Sequence, residues 1–138
     1  MRILLLAMLL SLSSFATDLD KVYEVVKHVE SNHRETVVGD GGRAYGIVQI
    51  HKICVKDINR IYGTSYTHQQ AFNAKVAKEM FMLYIKAGIK LFRGKFHRSP
   101  TEEEIVRMWN GGIYSGYCRE STVDYYNKYK YYKSKLKL

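Results

Sequence analysis

Four glycines fall within eight residues in the first half of the chain. Gly39, Gly41, Gly42 and Gly46 disfavour a helix across this stretch, because glycine loses more backbone entropy on folding than any other residue. Apolar residues at helical spacing flank the stretch on both sides. Residues 37–50 are therefore predicted to form a loop or short β-hairpin within an otherwise all-α, or mainly α-helical, fold.

Helical periodicity predicts five helices around this segment. In the first, Thr17, Asp18 and Asp20 precede valines spaced three and four apart. The second predicted helix spans about 51–62, and the third runs from a capping box at Thr67 and Gln70 to 87. The fourth begins with Ser99 as its cap and ends near 112, and the fifth runs from Ser121 to about 136. Gly88 and Gly94 interrupt the basic run at 86–98, which is expected to be solvated surface or loop. No alternation of strands with helices indicates a parallel sheet.

The N-terminus resembles an export signal. Arg2 supplies a positive start, residues 3–12 are an apolar run too short for a permanent anchor, and Ala16 ends a stretch of small residues. Residues 1–16 are therefore predicted to be a cleaved signal peptide, and residues 17–138 a single domain that is periplasmic or secreted. No internal repeat or linker marks a further boundary.

The chain is basic, with a formal charge of +9. Removal of Arg2 with the leader leaves 21 basic against 13 acidic residues, a charge of +8. Residues 128–138 contain lysines and no acid, so this tail is predicted to bind an anionic cell-wall or membrane surface, or to be a solvated helix end. No nucleic-acid-binding motif is present, and we expect a monomer.

Two cysteines, Cys54 and Cys118, are present. Because an exported chain meets an oxidising compartment, a disulfide between them is predicted, and two buried free thiols are the alternative. Neither cysteine belongs to a Cys-x-x-Cys pair, and the histidines lack zinc-site spacing. No metal or cofactor is therefore expected.

Several polar and aromatic residues are candidates for a sugar-binding cleft. Glu30 follows the last valine of the first helix, where partial burial would suit a general acid. Gln49 and Asn110 are neutral amides able to pair with hydroxyl and N-acetyl groups, although Gln49 would also suit its own turn and Asn110 a helix end. Tyr45 and Trp109 offer flat faces to sugar rings.

These residues together resemble the lysozyme-like superfamily, and most of all the soluble lytic transglycosylase domain family, which is related to goose-type lysozymes. Glu30-Ser31 matches the catalytic glutamate and its serine, and Gly-Ile-Val-Gln-Ile at 46–50 is similar to the family's Gly-Leu-Met-Gln turn. Trp-Asn-Gly-Gly at 109–112 is similar to its Tyr-Asn-Ala-Gly motif, and Tyr125 to the tyrosine of its closing Tyr-Val pair. The motifs span nearly all of the predicted mature chain, in the family's order.

The resemblance implies an enzyme that cleaves the β-1,4 glycosidic bond between N-acetylmuramic acid and N-acetylglucosamine in peptidoglycan. Glu30 would be the general acid, and Tyr125 would orient it through the hydroxyl. Trp109 departs from the family's usual tyrosine, so an indole would have to steady Glu30 in another way. A catalytically silent wall-binding protein and a chitin or chitosan hydrolase are alternatives.

The role of Asp40 distinguishes a lytic transglycosylase from a hydrolase. A lytic transglycosylase, a lyase, needs no second carboxylate, because the muramyl 6-hydroxyl attacks its own anomeric carbon. An inverting hydrolase needs a base roughly 6.5 to 9.5 Å from the acid, and Asp40 resembles the loop aspartate of goose-type lysozymes. Asp40 in Gly-Asp-Gly-Gly would equally suit a turn former. The transglycosylase is the favoured prediction.

Overall fold

The structure is a computed structural model that describes residues 17–138. Its helices are α1 (Leu19–Ser31), α2 (Lys52–Tyr62), α3 (Ala74–Phe96), α4 (Glu102–Gly111) and α5 (Val123–Leu136), and its strands are β1 (Val38–Gly39), β2 (Ala44–Tyr45) and β3 (Ile50–His51). The predicted mainly α-helical fold with a short hairpin segment is confirmed. The predicted signal peptide at 1–16 lies outside the described residues. Each helix within 17–138 is too short or too polar to cross a membrane.

Helix α1 forms where the sequence predicts it. The Asp18 carboxylate accepts hydrogen bonds from the backbone N–H groups of Asp20 and Lys21, at 3.0 and 3.3 Å. Four valines at 22, 25, 26 and 29 are buried in the core, so packing outweighs their weak intrinsic helix propensity. Asn32 ends the helix in the left-handed conformation.

The glycine-rich stretch folds into a small antiparallel sheet in the order β1-β2-β3. Tyr45 pairs with Val38 on one side and Ile50 on the other. Gly46 has a φ of +82°, and a Cβ there would collide with the Ala71 carbonyl oxygen. The turn after β2 therefore requires glycine for both its conformation and its close contact.

The long helix α3 differs from the prediction at both ends. The capping box at Thr67 and Gln70 is present, but it caps a 3₁₀ turn at His68–Phe72, and Asn73 caps α3 itself. The helix then continues past Gly88 to Phe96, so most of the basic run at 86–98 is helix and not loop. Its lysines and arginines are exposed, as the alternative of a solvated surface predicted. A Cβ at Gly88 would lie 2.8 Å from Ile113 Cγ2, which shows that this glycine permits close packing.

The start of α4 also differs from the prediction. Thr101, and not Ser99, is the N-cap, and its hydroxyl and the Glu104 carboxylate form the capping box. Pro100 lies before the helix and is buried. Helix α5 begins at Val123, and no side chain caps it. Within α5, Tyr129 is fully buried, and Tyr125, Tyr132 and Leu136 pack against the core at helical spacing.

Two long-range hydrogen bonds fix the end of α1. The buried Ser31 hydroxyl donates to the Ile47 carbonyl oxygen of the hairpin segment at 2.7 Å. The Lys128 ammonium of α5 donates to the Val29 carbonyl oxygen at 3.2 Å. Glu30 therefore lies on backbone held from both sides.

The predicted disulfide is absent, because Cys54 and Cys118 are both free thiols. Cys54 is buried in the core on α2. Cys118 is exposed in the segment between α4 and α5, where its thiol donates to the Ser115 carbonyl oxygen at 3.3 Å. The alternative of two buried free thiols is therefore correct in that both are free, but only Cys54 is buried.

Candidate active site

Glu30 is the penultimate residue of α1 and lies where the helix leaves the core. Val29 before it is buried with the other valines. Glu30 keeps part of its surface exposed and lines a cleft of about 490 Å³, although its carboxyl group is largely buried. The same cleft is lined by Asp40, Gln49 and Asn110. Trp109 lines it too, so the fold brings together five of the residues predicted from sequence.

The Glu30 carboxyl is held by two donors on one oxygen. The Tyr125 hydroxyl donates to Oε1 at 2.7 Å, and the Trp109 indole N–H donates to the same atom at 3.2 Å. Within residues 17–138 no group donates to Oε2. Because Oε1 accepts both bonds, Oε2 is the oxygen left to carry the proton of the neutral acid.

Burial sets the protonation state of this carboxyl. Burial raises the pKa of Glu30 from 4.5 to about 7, although the hydrogen bonds from Tyr125 and Trp109 and the charge of Lys128 lower it. Glu30 therefore holds its proton to a much higher pH than an ordinary glutamate, which is ionised at neutral pH. This carboxyl is able both to donate and to accept a proton near pH 7.

The lining of the cleft comes from two parts of the chain, which we call its helical wall and its hairpin wall. The helical wall consists of Glu30, Trp109 and Asn110, and Tyr125 supports it from α5. The hairpin wall consists of Asp40, Gln49 and His51. A larger cavity of about 840 Å³ between α1 and α3 contains none of the candidate site residues. We therefore assign the site by the chemistry of its lining and not by cavity size.

Asp40 lies on the hairpin wall and is engaged by basic neighbours. It opens a 3₁₀ turn at Asp40–Gly42, and its backbone has a φ of +48°. Its Oδ1 pairs with Arg43 at 2.8 Å, and its Oδ2 lies 3.5 Å from His51 Nε2. Asp40 thus both forms the turn and lines the cleft, with a basic partner near each carboxylate oxygen.

The two predicted amides differ in their availability. The Gln49 Nε2 group donates to the carbonyl oxygens of Gly46 at 2.9 Å and Val37 at 3.2 Å, so its donors fix the hairpin turn. The Asn110 side chain is exposed and makes no hydrogen bond within residues 17–138. Asn110 therefore presents both donor and acceptor to the cleft, while Gln49 retains its acceptor.

The two predicted aromatic surfaces also differ. Trp109 lines the cleft, and its ring packs against Phe81 at a centroid distance of 4.8 Å. Tyr45 lines a neighbouring groove instead, and its ring stacks on His68 at 3.8 Å and on Phe72 at 4.7 Å. Because both stacking partners are protein side chains, a sugar would meet the edge of Tyr45.

Lys128 and Tyr84 belong to the site but were missed from the sequence. Lys128 holds the end of α1 and lowers the pKa of Glu30. Its position three residues after Tyr125, on the same helical face, was the available signal. The Tyr84 hydroxyl, on α3, accepts from the Ile113 backbone N–H at 3.4 Å and lines the cleft. Nothing in the sequence distinguished it from other core tyrosines.

No family model matches the chain, and no curated protein matches it. The residues and geometry of the cleft therefore carry the functional assignment.

Proposed function

We propose that this protein is an exported lytic transglycosylase of the lysozyme-like superfamily. It cleaves the β-1,4 bond between N-acetylmuramic acid and N-acetylglucosamine in peptidoglycan. Its basic α5 tail attracts it to the anionic wall or membrane surface. The observation that carries the proposal is the environment of Glu30, a buried carboxyl with two donors on Oε1 and a pKa raised to about 7.

Glu30 acts first as an acid. Its Oε2 proton passes to the glycosidic oxygen as the bond from that oxygen to the muramyl anomeric carbon breaks. The negative charge left on Glu30 is stabilised by the hydrogen bonds from Tyr125 and Trp109. The same two donors that lower the pKa of Glu30 therefore assist departure of its proton.

Glu30 then acts as a base. It accepts the proton of the muramyl 6-hydroxyl as that oxygen bonds to the anomeric carbon. The product is a 1,6-anhydro sugar, and Glu30 returns to its acid form. A pKa near the working pH suits both steps, because neither direction of transfer is strongly uphill.

The remaining residues of the cleft suit an uncharged glycan. Asn110 offers an unpaired amide, and Gln49 offers a carbonyl oxygen, for the hydroxyl and N-acetyl groups of the sugars. Gly111 and Gly112 line the cleft beside them, and because they have no side chains they leave space for a ligand. Trp109 supplies an apolar edge for a sugar ring.

The position of Asp40 favours a second candidate, an inverting hydrolase of the goose-type lysozyme kind. Asp40 lines the same cleft as Glu30, as a water-activating base would. Against this role, its Oδ1 already accepts a hydrogen bond from Arg43, and its Oδ2 lies 3.5 Å from His51, so a protein cation already engages the carboxylate that would have to activate water. We therefore retain the transglycosylase as the first proposal.

Mass spectrometry of purified peptidoglycan digested with the protein separates these candidates. The transglycosylase releases muropeptides that end in 1,6-anhydromuramic acid. Reducing ends would establish the hydrolase in its place. Binding to the wall without release of soluble fragments would overturn both and support a wall-binding protein, whereas release of sugar from chitin oligomers but not from peptidoglycan would support a chitinase.

A further inference from the structure

A second groove continues from the cleft along the hairpin and the first turns of α2. It has a volume of about 690 Å³ and shares His51 and Ile53 with the cleft. Its basic lining residues are Arg43, His51, Lys52, Lys56 and His68, and no aspartate or glutamate lines it. We call it the cationic groove.

Two of these cations are available to a ligand. Lys52 and Lys56 are exposed and make no ion pair within residues 17–138. Arg43 is paired with Asp40, at 2.8 Å, and His51 lies 3.5 Å from the same carboxylate. His68 Nε2 lies 2.6 Å from the Ile50 carbonyl oxygen.

Two acids next to lining residues are also engaged. Asp57 on α2 pairs with Arg60 at 3.2 Å, and Glu79 on α3 accepts from the Tyr66 hydroxyl at 3.2 Å. Neither carboxylate is directed at Lys52 or Lys56 in an ion pair. The positive charge of these two lysines is therefore uncompensated by a direct contact in the described chain.

The cationic groove also offers uncharged surface. The Ile53 side chain is 64% exposed between the groove and the cleft. The edge of Tyr45 and the Asn59 amide line the groove farther along. A ligand with apolar side chains as well as negative groups would therefore fit it better than a bare inorganic anion.

We propose that the cationic groove binds the peptide stem carried by the muramic acid next to the cleaved bond, with Lys52 and Lys56 attracting its free carboxylates. This inference rests on the proposed function, since it assumes that the glycan lies in the cleft. A stem attached to that glycan is held beside the groove through the shared residues His51 and Ile53. The groove then makes the enzyme select strands whose stems carry free acids over strands whose stems are amidated.

The peptide stem is a better occupant than a separate phosphate polymer. The stem is covalently joined to the sugar in the cleft, so its carboxylates are held at high effective concentration near the groove. A phosphate-bearing wall polymer would have to enter as a second molecule. Such a polymer would inhibit the enzyme or attract it to the wall, and its effect would not depend on whether the stems are amidated.

The test compares two charge-reversed double variants. Lys52→Glu/Lys56→Glu reverses the groove, and Lys86→Glu/Lys90→Glu reverses two exposed lysines with the same spacing on α3, away from the cleft. Initial rates of muropeptide release are measured on three matched substrates: strands with free-acid stems, strands with amidated stems and strands stripped of peptide. Circular dichroism checks that both variants fold.

We expect the wild type to prefer free-acid stems, and the groove variant to lose about tenfold in kcat/KM on them, as expected for a few exposed charge pairs. Its rates on amidated and peptide-free strands, and all rates of the control variant, should change less than twofold.

Equal wild-type rates on free-acid and amidated strands would overturn the inference while leaving the enzyme established. Equal losses on all three substrates, or an effect seen only when a phosphate polymer is added, would overturn it too. If the wild type cleaved none of the three substrates, that result would instead contradict the proposed function.

Discussion

The two walls of the cleft each present a carboxyl group, and the fold treats the two in opposite ways. On the helical wall, Glu30 is held by uncharged donors, and burial raises its pKa to about 7. On the hairpin wall, Asp40 is exposed and pairs with Arg43. Glu30 on the helical wall therefore has a proton available near neutral pH. The carboxylate of Asp40 on the hairpin wall is instead paired with an arginine of its own turn.

This difference indicates how roles are divided across the cleft. A buried carboxyl with neutral partners is suited to proton transfer. An exposed carboxylate in an ion pair mainly shapes the loop that carries it. On this account the chemistry depends on α1, α4 and α5, and the hairpin supplies shape and sugar contacts.

The largest expected effect is loss of activity in Glu30→Gln. Glutamine keeps the two hydrogen bonds to Oε1 but has no proton to donate to the leaving oxygen. We expect muropeptide release to fall on the order of 10³-fold. Rates from chromatography of digested wall measure this, with Glu24→Gln as the control, because Glu24 lies on α1 but does not line the cleft. A fall of less than threefold would remove Glu30 from catalysis.

The hairpin wall depends on Gly46 more than on its other glycines. Gly46→Ala introduces a Cβ at a φ of +82° that collides with the Ala71 carbonyl, so we expect roughly 3 kcal/mol of lost stability. Gly41→Ala is the matched control, since φ is +62° there and no atom lies within 4 Å of the added Cβ. It should lose only about 1 kcal/mol. Urea unfolding measures both, and equal losses would show that the contact with Ala71 is unimportant.

Removing the donor from α5 should alter the helical wall in a defined direction. Tyr125→Phe deletes a hydrogen bond that lowers the pKa of Glu30, so that pKa rises above 7. We expect activity to fall about tenfold at neutral pH and its alkaline limit to move to higher pH. The pH profile of kcat/KM measures the shift.

Tyr126→Phe is the control for this experiment, because its hydroxyl makes no hydrogen bond within residues 17–138. A profile that keeps its midpoint in Tyr125→Phe, or that moves equally in both variants, would show that Tyr125 acts only through packing.

The smallest effect is expected on the hairpin wall itself. Asp40→Asn removes a charge but leaves an amide able to form the same turn. As a transglycosylase the enzyme should keep its rate within about threefold and release the same anhydro products. A loss on the order of 10²-fold would show that Asp40 activates water and would replace the first proposal with the hydrolase.

The parts of the fold that follow local rules could be predicted from the sequence. Asp18 and the valine stripe predicted α1, and the clustered glycines predicted the hairpin segment. Two overlapping motifs misled the prediction at α4, because Ser99 with Glu102 and Thr101 with Glu104 fit the same capping pattern. Gly88 misled it at α3, because its lack of a side chain serves packing against Ile113 and does not end the helix.

Most residues of the cleft were expected from the sequence, and the family resemblance also implied the contact from Tyr125 to Glu30, but the other contacts were not predictable. Glu30, Asp40, Gln49 and Asn110 were all expected, and the cleft contains them. The bond from Trp109 to Glu30 joins residues 79 positions apart, so no local pattern could indicate it. The cysteine pairing failed for a similar reason, since the expected compartment does not reveal that Cys54 is buried while Cys118 is exposed.

The most direct measurement is a titration of the Glu30 carboxyl by ¹³C NMR, with Glu30→Gln used to assign the signal. Burial is predicted to hold the pKa of Glu30 at about 7, so the side-chain carboxyl shift should change with a midpoint near that pH. The group would then be protonated below the midpoint and charged above it. A midpoint near 4.5 would contradict the account, because Glu30 would then have no proton to donate at neutral pH.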